Sequence, residues 1–173
     1  MKLAARIMQT LLLPAIMVAS LAIHAVPAQA QAPNPIRIDV PVTLKQVKVF
    51  YNLDHAAFGG DMPVGLGHMT MMLNWFKQTG AEWKMVGIFH GDAAYMLLND
   101  ETYNAVRRTK TGNPYKGMVE NLIKQGAQIE ACAVTMRGNK WGNDNLLPGV
   151  KVNTGADVRI IELVQQGYVM LQP

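Results

Sequence analysis

Ala127-Gln128-Ile129-Glu130-Ala131-Cys132-Ala133-Val134 is the stretch on which the reading of this chain turns. It is a short, largely apolar run between Gly126 and the turn-like Thr135-Met136-Arg137-Gly138-Asn139, and it reads as a buried strand. The chain's single cysteine, Cys132, falls at the carboxyl end of that strand. If the strand belongs to an open parallel sheet, Cys132 lies where such folds bind ligands, in the crevice outside the carboxyl ends.

The neighbouring sequence supports a parallel sheet. Before the cysteine strand, Asn113-Pro114 opens a helix with Tyr115, Met118, Val119, Leu122 and Ile123 on one face and Gly126 behind it. Further upstream, Trp83–Phe89 is a second apolar strand ending in His90-Gly91-Asp92. Leu66, Met69, Met72, Leu73 and Phe76 recur at helical spacing, with Gly80 at the expected stop. Gln46–Leu53 has the β-branched and aromatic content of a strand and runs into a turn-rich segment, Asp54–Asp61.

Ala93–Leu98 and Glu101–Arg108 read as one broken helical region. After Cys132, Leu146-Leu147-Pro148-Gly149 turns into a short strand at Val150–Asn153. Thr154, with Asp157 three residues on, is read as the cap of a helix carrying Ile160, Ile161, Leu163 and Val164 and closed by Gly167. Tyr168–Leu171 makes the last strand. Strands alternating with helices predict a three-layer α/β/α domain, a mainly parallel five-stranded sheet covered on both faces.

The amino terminus reads as an export signal. Lys2 and Arg6 precede an apolar run, Ile7–Val26, and Ala28-Gln29-Ala30 supplies a small-x-small site, so cleavage is expected after Ala30. No later stretch approaches the ~18 apolar residues of a spanning helix, so no stable membrane anchor is expected after cleavage. The organisation is then a signal over 1–30, a linker over 31–44 and one α/β domain over 45–173, in the periplasm or secreted. Lys2 and Arg6 leave with the signal, taking the net charge from +4 to +2. Arg107-Arg108-Thr109-Lys110 is the remaining basic cluster and reads as a solvated helix end, so no nucleic-acid partner is expected.

With one cysteine, an exported chain makes no internal disulfide. Cys132 is therefore a buried small hydrophobe, an intermolecular link or a reactive group. There is no Cys-x-x-Cys pair, no dinucleotide fingerprint and no Gly-x-Ser-x-Gly elbow. His55, after the first strand, and His90, ending the second, should share the carboxyl edge with Cys132, together with Asn52, Asp54, Asp92 and Asn153. A helical turn beginning at Thr135, the charge of Arg137, or a nearby histidine would give the thiol thiolate character. His68-Met69-Thr70-Met71-Met72 offers Cu(I)-type donors, but Met69 and Met72 share the apolar helical face and read as core filler, so no metal or cofactor is expected.

Phe89-His90-Gly91, Gly112-Asn113-Pro114-Tyr115, Ile129-Glu130-Ala131-Cys132, Leu146-Leu147-Pro148-Gly149-Val150 and Gly167-Tyr168-Val169, in this order and spacing, resemble the DsrE/DsrF-like proteins, closest to their exported single-domain branch. The resemblance spans roughly residues 45 to 171. It implies a compact α/β/α fold assembled into oligomers. It also implies sulfur relay, with Cys132 carrying sulfane sulfur as a persulfide between a donor and an acceptor. Arg137, His90 and His55 would play supporting roles. The alternative is a non-catalytic oligomeric binding or scaffold protein in which Cys132 is buried and inert.

Overall fold

In the computed structural model, which describes residues 35–173, the central strands are apolar on both faces and pair in parallel. β1 (Gln46–Leu53) pairs with β4 (Glu82–Phe89) over eight residues, from Gln46 opposite Glu82 to Leu53 opposite Phe89. β5 (Gln128–Cys132) joins β4, and β6 (Lys151–Asn153) joins β5. β7 (Val169–Leu171) pairs with the other side of β1, giving the order β6-β5-β4-β1-β7. All five strands are parallel. Hydrophobic runs of this kind are expected when a parallel sheet is covered on both faces.

The side-chain period of two divides the core. Val49, Tyr51, Met85, Phe89, Ile129 and Ala131 face one side, where α1 (Val64–Thr79), α3 (Lys116–Lys124), the 3-10 turn Gly91–Leu97 and α4 (Ala133–Gly138) contribute Leu66, Leu73, Phe76, Leu122, Leu97 and Met136. Phe50, Val86, Ile88 and Cys132 face the other side, where α5 (Ala156–Gln165) supplies Ala156 and Leu163. Helices therefore lie on both faces, but unequally. α5 is the helix of the second layer, and its outer residues Val158, Ile161 and Val164 are exposed.

Most sequence-level boundaries hold within a residue or two, and the departures have local causes. The turn-rich segment contains a two-residue hairpin, β2 (Phe58–Gly59) with β3 (Met62–Pro63), reversed at Gly60. The broken helical region resolves into the 3-10 turn and α2 (Asp100–Arg107), which Asn99 caps by accepting the Thr102 N–H at 2.8 Å. α4 begins at Ala133 with Cys132 as its N-cap, two residues before the expected start at Thr135. Thr154 does not cap α5: the cap position is Gly155, without a side-chain bond, and the Ala156 amide is taken by the Cys132 sulfur.

The expected signal, its cleavage after Ala30 and the first linker residues lie outside the described residues. Residues 35–44 form neither helix nor strand. No helix among the described residues is long and apolar enough to cross a membrane.

Candidate functional site around Cys132

Connections out of β1, β4 and β5 run over the α1 face, whereas the connection out of β6 runs through α5 on the opposite face. β5 and β6 are adjacent, so the chain leaves their carboxyl ends in opposite directions. The strand order itself reverses between β1 and β7, so the topological switch point lies there, and Cys132 stands further along the same carboxyl edge. Cys132, the last residue of β5, stands opposite Asn153, the last residue of β6.

The sulfur is surrounded by amides. The Ala156 N–H, at the start of α5, donates to Cys132 Sγ at 3.3 Å. Burial pushes the thiol up, but the Thr135 and Ala156 amides, the Thr135 hydroxyl and the Val134 amide outweigh it and hold the thiol below its ordinary value. Thr135 is fixed in turn, because its Oγ accepts the Gly91 N–H at 3.1 Å. Gly91 has φ +50°, and a Cβ there would meet the Asp54 carbonyl oxygen at 2.5 Å, so the contact between the β1 and β4 loop ends requires glycine. The Cys132 residue itself is 3% exposed, although Val134, two residues further on, is 57% exposed.

The expected supporting residues occupy the same edge with other partners. His90 Nε2 lies 2.8 Å from the Asn52 side-chain oxygen. His55 Nδ1 lies 2.6 Å from Asp54 Oδ1, and both side chains of that pair are largely solvent-exposed. The His55 hydrogen bond, helped by the Asp54 backbone amide and the charges of His55 and His90, holds the Asp54 carboxyl below its usual range. Arg137 is exposed on α4 and forms no ion pair among the described residues. His55 and Gly91 line an open crevice of about 590 Å³ with Tyr95, Arg107, Asn139 and Trp141; Cys132 is not in its lining. The structure thus gathers His55, His90 and Asp54 at the β1 and β4 ends, and links them to the cysteine loop through Gly91 and Thr135.

Sequence reading missed the group beneath the sulfur. Glu130 lies two residues before Cys132 on the same face of β5, and its side chain is 3% exposed. Arg159 of α5 grips both of its oxygens: Nε reaches Oε1 at 3.1 Å and Oε2 at 3.0 Å, and Nη2 reaches Oε1 at 2.8 Å. Gln128 Nε2 and Asn153 Nδ2 donate at 2.6 and 3.0 Å. The Glu130 bonds raise Arg159 above its already high value. This fork holds α5 against β5 and β6, and with it the Ala156 amide that faces the sulfur. The available signal was a carboxylate inside an apolar strand run, which demands a buried cation.

Asn153 Oδ1 is buried without a partner among the described residues, while Asn153 Nδ2 is committed to Glu130. Among the described residues, no group of three His, Cys, Asp or Glu side chains could hold a metal ion. His68 is exposed on α1, and Met69 is fully buried against Gly87.

The model of the DsrE/DsrF-like family matches residues 71–173, from α1 to the last strand and through the whole cysteine loop. This chain belongs to the DsrE/DsrF-like family. The family is associated with sulfur relay in general. Two solved structures share the fold. MTH1491 from Methanobacterium thermoautotrophicum, described as a protein of unknown function, is 20% identical with a TM-score of 0.58, over 73% of this chain and 99% of its own. The ychN protein from E. coli is 16% identical with a TM-score of 0.50, over 76% of this chain and 100% of its own. At these identities the likeness concerns the DsrE/DsrF-like fold alone. No curated protein matches the sequence.

Proposed function

We propose that this protein is an exported sulfur carrier that holds sulfane sulfur as a persulfide on Cys132 and passes it to a partner. The carrying observation is the sulfur's position. It sits at the carboxyl end of β5 beside the end of β6, under amides that favour its thiolate, in a family associated with sulfur relay. A thiolate is the attacking form of cysteine.

In the loading step, the Cys132 thiolate attacks the outer sulfur of a polysulfide, a partner's persulfide or thiosulfate. One sulfur–sulfur bond forms and one breaks. The donor leaves as a shortened polysulfide, a thiolate or sulfite, and no oxidant is consumed. In the unloading step, an acceptor thiolate attacks the outer sulfur and Cys132 leaves as thiolate. The Ala156 and Thr135 amides serve both steps, since each begins or ends with negative charge on the Cys132 sulfur. Arg137, His90 and His55 are assigned the incoming anion at the rim. The chain works as a homo-oligomer in the periplasm or outside the cell.

One observation favours a second reading, an oligomeric binding or scaffold protein with an inert cysteine: Cys132 is 3% exposed. Alkylation of the folded protein separates the two. The carrier reading expects labelling at neutral pH at a rate set by the thiolate fraction. Labelling only after denaturation would leave the scaffold reading.

A further inference from the structure

The open crevice beside His55 is built by loops that leave three neighbouring strands. His55 follows β1, Tyr95 lies in the 3-10 turn after β4, and Asn139 and Trp141 follow α4 beyond β5; Arg107, the last residue of α2, closes the ring. It therefore opens outside the carboxyl ends of β1, β4 and β5, the side of an open α/β sheet that takes ligands. Its volume of about 590 Å³ suits a small organic molecule. Tyr95 and Trp141 pack against the core under α1, whereas Cys132 belongs to the core under α5. Crevice and sulfur thus lie on opposite faces of the sheet.

The walls are aromatic. Tyr95 and Trp141 are half-buried, each with one side against the core. Phe58, in the same lining, is 44% exposed, and its ring is backed by Tyr115 at 6.1 Å. Tyr115 in turn meets Tyr95 edge-on at 5.9 Å.

The mouth is basic. The Arg107 guanidinium lies over the Tyr95 ring, 4.4 Å from its centroid. Stacking fixes the plane of the fork, and Arg107 has no carboxylate partner among the described residues. Next to it Arg108 has φ +53°, and between Asn139 and Trp141 Lys140 has φ +60°. These are the only non-glycine residues with positive φ among the described residues, and both follow the end of a helix, where glycine is usual. Strained positions of this kind gather at ligand sites. Arg108 and Lys140 also form no ion pair among the described residues. Against these charges the lining holds one carboxylate, Asp92, which repels a multiply charged anion but accepts from a hydroxyl.

We propose that this crevice binds a small aromatic carboxylate bearing one negative charge. The carboxylate takes the Arg107 fork, the flat ring lies against Trp141 and Phe58, and a ring hydroxyl points toward Asp92. The site is separate from the sulfur chemistry and does not rest on it.

Titration of the folded chain with para-hydroxyphenylacetate, followed by NMR of the backbone amide and indole N–H groups, tests it. Saturable shifts are expected at the Trp141 indole and at the Asp92 and Asn139 amides, with the Trp75 and Trp83 indoles unmoved. Arg107→Met, or the neutral para-hydroxyphenylacetamide with the wild-type chain, should weaken binding at least tenfold, the worth of one charge-assisted contact. Arg107→Lys should recover part of that loss, and Cys132→Ser should bind as wild type does. The proposal is overturned if no shift saturates, if the shifts fall outside the crevice, or if the amide or Arg107→Met binds as well as the carboxylate does to wild type. Binding lost in Cys132→Ser would equally overturn it, because the site would then not be separate from the sulfur.

Discussion

Replacing Arg159 by Met removes the only cation that, among the described residues, is bonded to a carboxylate almost entirely out of water. Glu130 would keep the Gln128 and Asn153 amides as donors and lose three hydrogen bonds from the guanidinium. Removing one partner of a buried pair costs about 3–5 kcal/mol, chiefly because the other charge is stranded. The two surviving amides, and the 19% exposure of the Arg159 side chain, place this case at the low end, about 3 kcal/mol. That is a large share of the ~5–15 kcal/mol that stabilises an ordinary domain.

The assay is urea unfolding of wild type, Arg159→Met, Glu130→Leu and the double variant, compared at equal m-value. Each single change should be strongly destabilising, whereas the double variant, with no stranded charge, should recover most of the loss. Cys132 alkylation should slow in Arg159→Met, because α5 and its Ala156 amide are no longer held against β5. A loss below about 1 kcal/mol in Arg159→Met, or a double variant no better than the singles, would refute the clamp.

Three further outcomes follow from the site. Thr135→Val removes the hydroxyl that faces the sulfur, so the alkylation pH profile should move toward higher pH; an unmoved profile would remove Thr135 from the thiolate's support. Because the native thiol is held below its ordinary value of 9.0, the unfolded state binds the extra proton between the two, and stability should rise with pH across that window. Below the lowered value the thiol is protonated in both states, so this contribution is gone, and Cys132→Ser should abolish the rise altogether in denaturation measured from neutral pH to pH 9.0. Gly91→Ala should cost about 2–3 kcal/mol by thermal or urea unfolding, from the left-handed backbone and the clash with the Asp54 carbonyl, while Gly117→Ala, in open space on α3, should stabilise by up to about 1 kcal/mol.

Much of the scaffold was legible because it rests on local periodicity. The apolar spacing of Leu66, Met69, Leu73 and Phe76 and the stop at Gly80 locate α1, and the run ending at Cys132 locates β5. What stayed hidden depends on residues far apart in the chain. The sulfur's amide partner, Ala156, is 24 residues beyond it, and Arg159 is 29 beyond Glu130. Thr154 looked like a cap because its spacing to Asp157 is right, yet spacing cannot reveal that a sulfur from another strand takes the helix's first amide. The histidines reach the expected edge, but their nearest polar partners, Asn52 and Asp54, come from the end of β1 and the loop just beyond it. The segment before β1 reads as a linker from Gln-Ala-Pro-Asn-Pro, and residues 35–44 form neither helix nor strand.

The central claim is that Cys132 receives and hands on sulfane sulfur. Its most direct measurement is intact-mass analysis of the folded protein after polysulfide treatment, followed by an acceptor thiol. The account predicts a single added sulfur on wild type, none on Cys132→Ser, and its loss to the acceptor on chase. A folded wild-type protein that gains no sulfur at Cys132, or gains it and keeps it when the acceptor is added, would contradict the account.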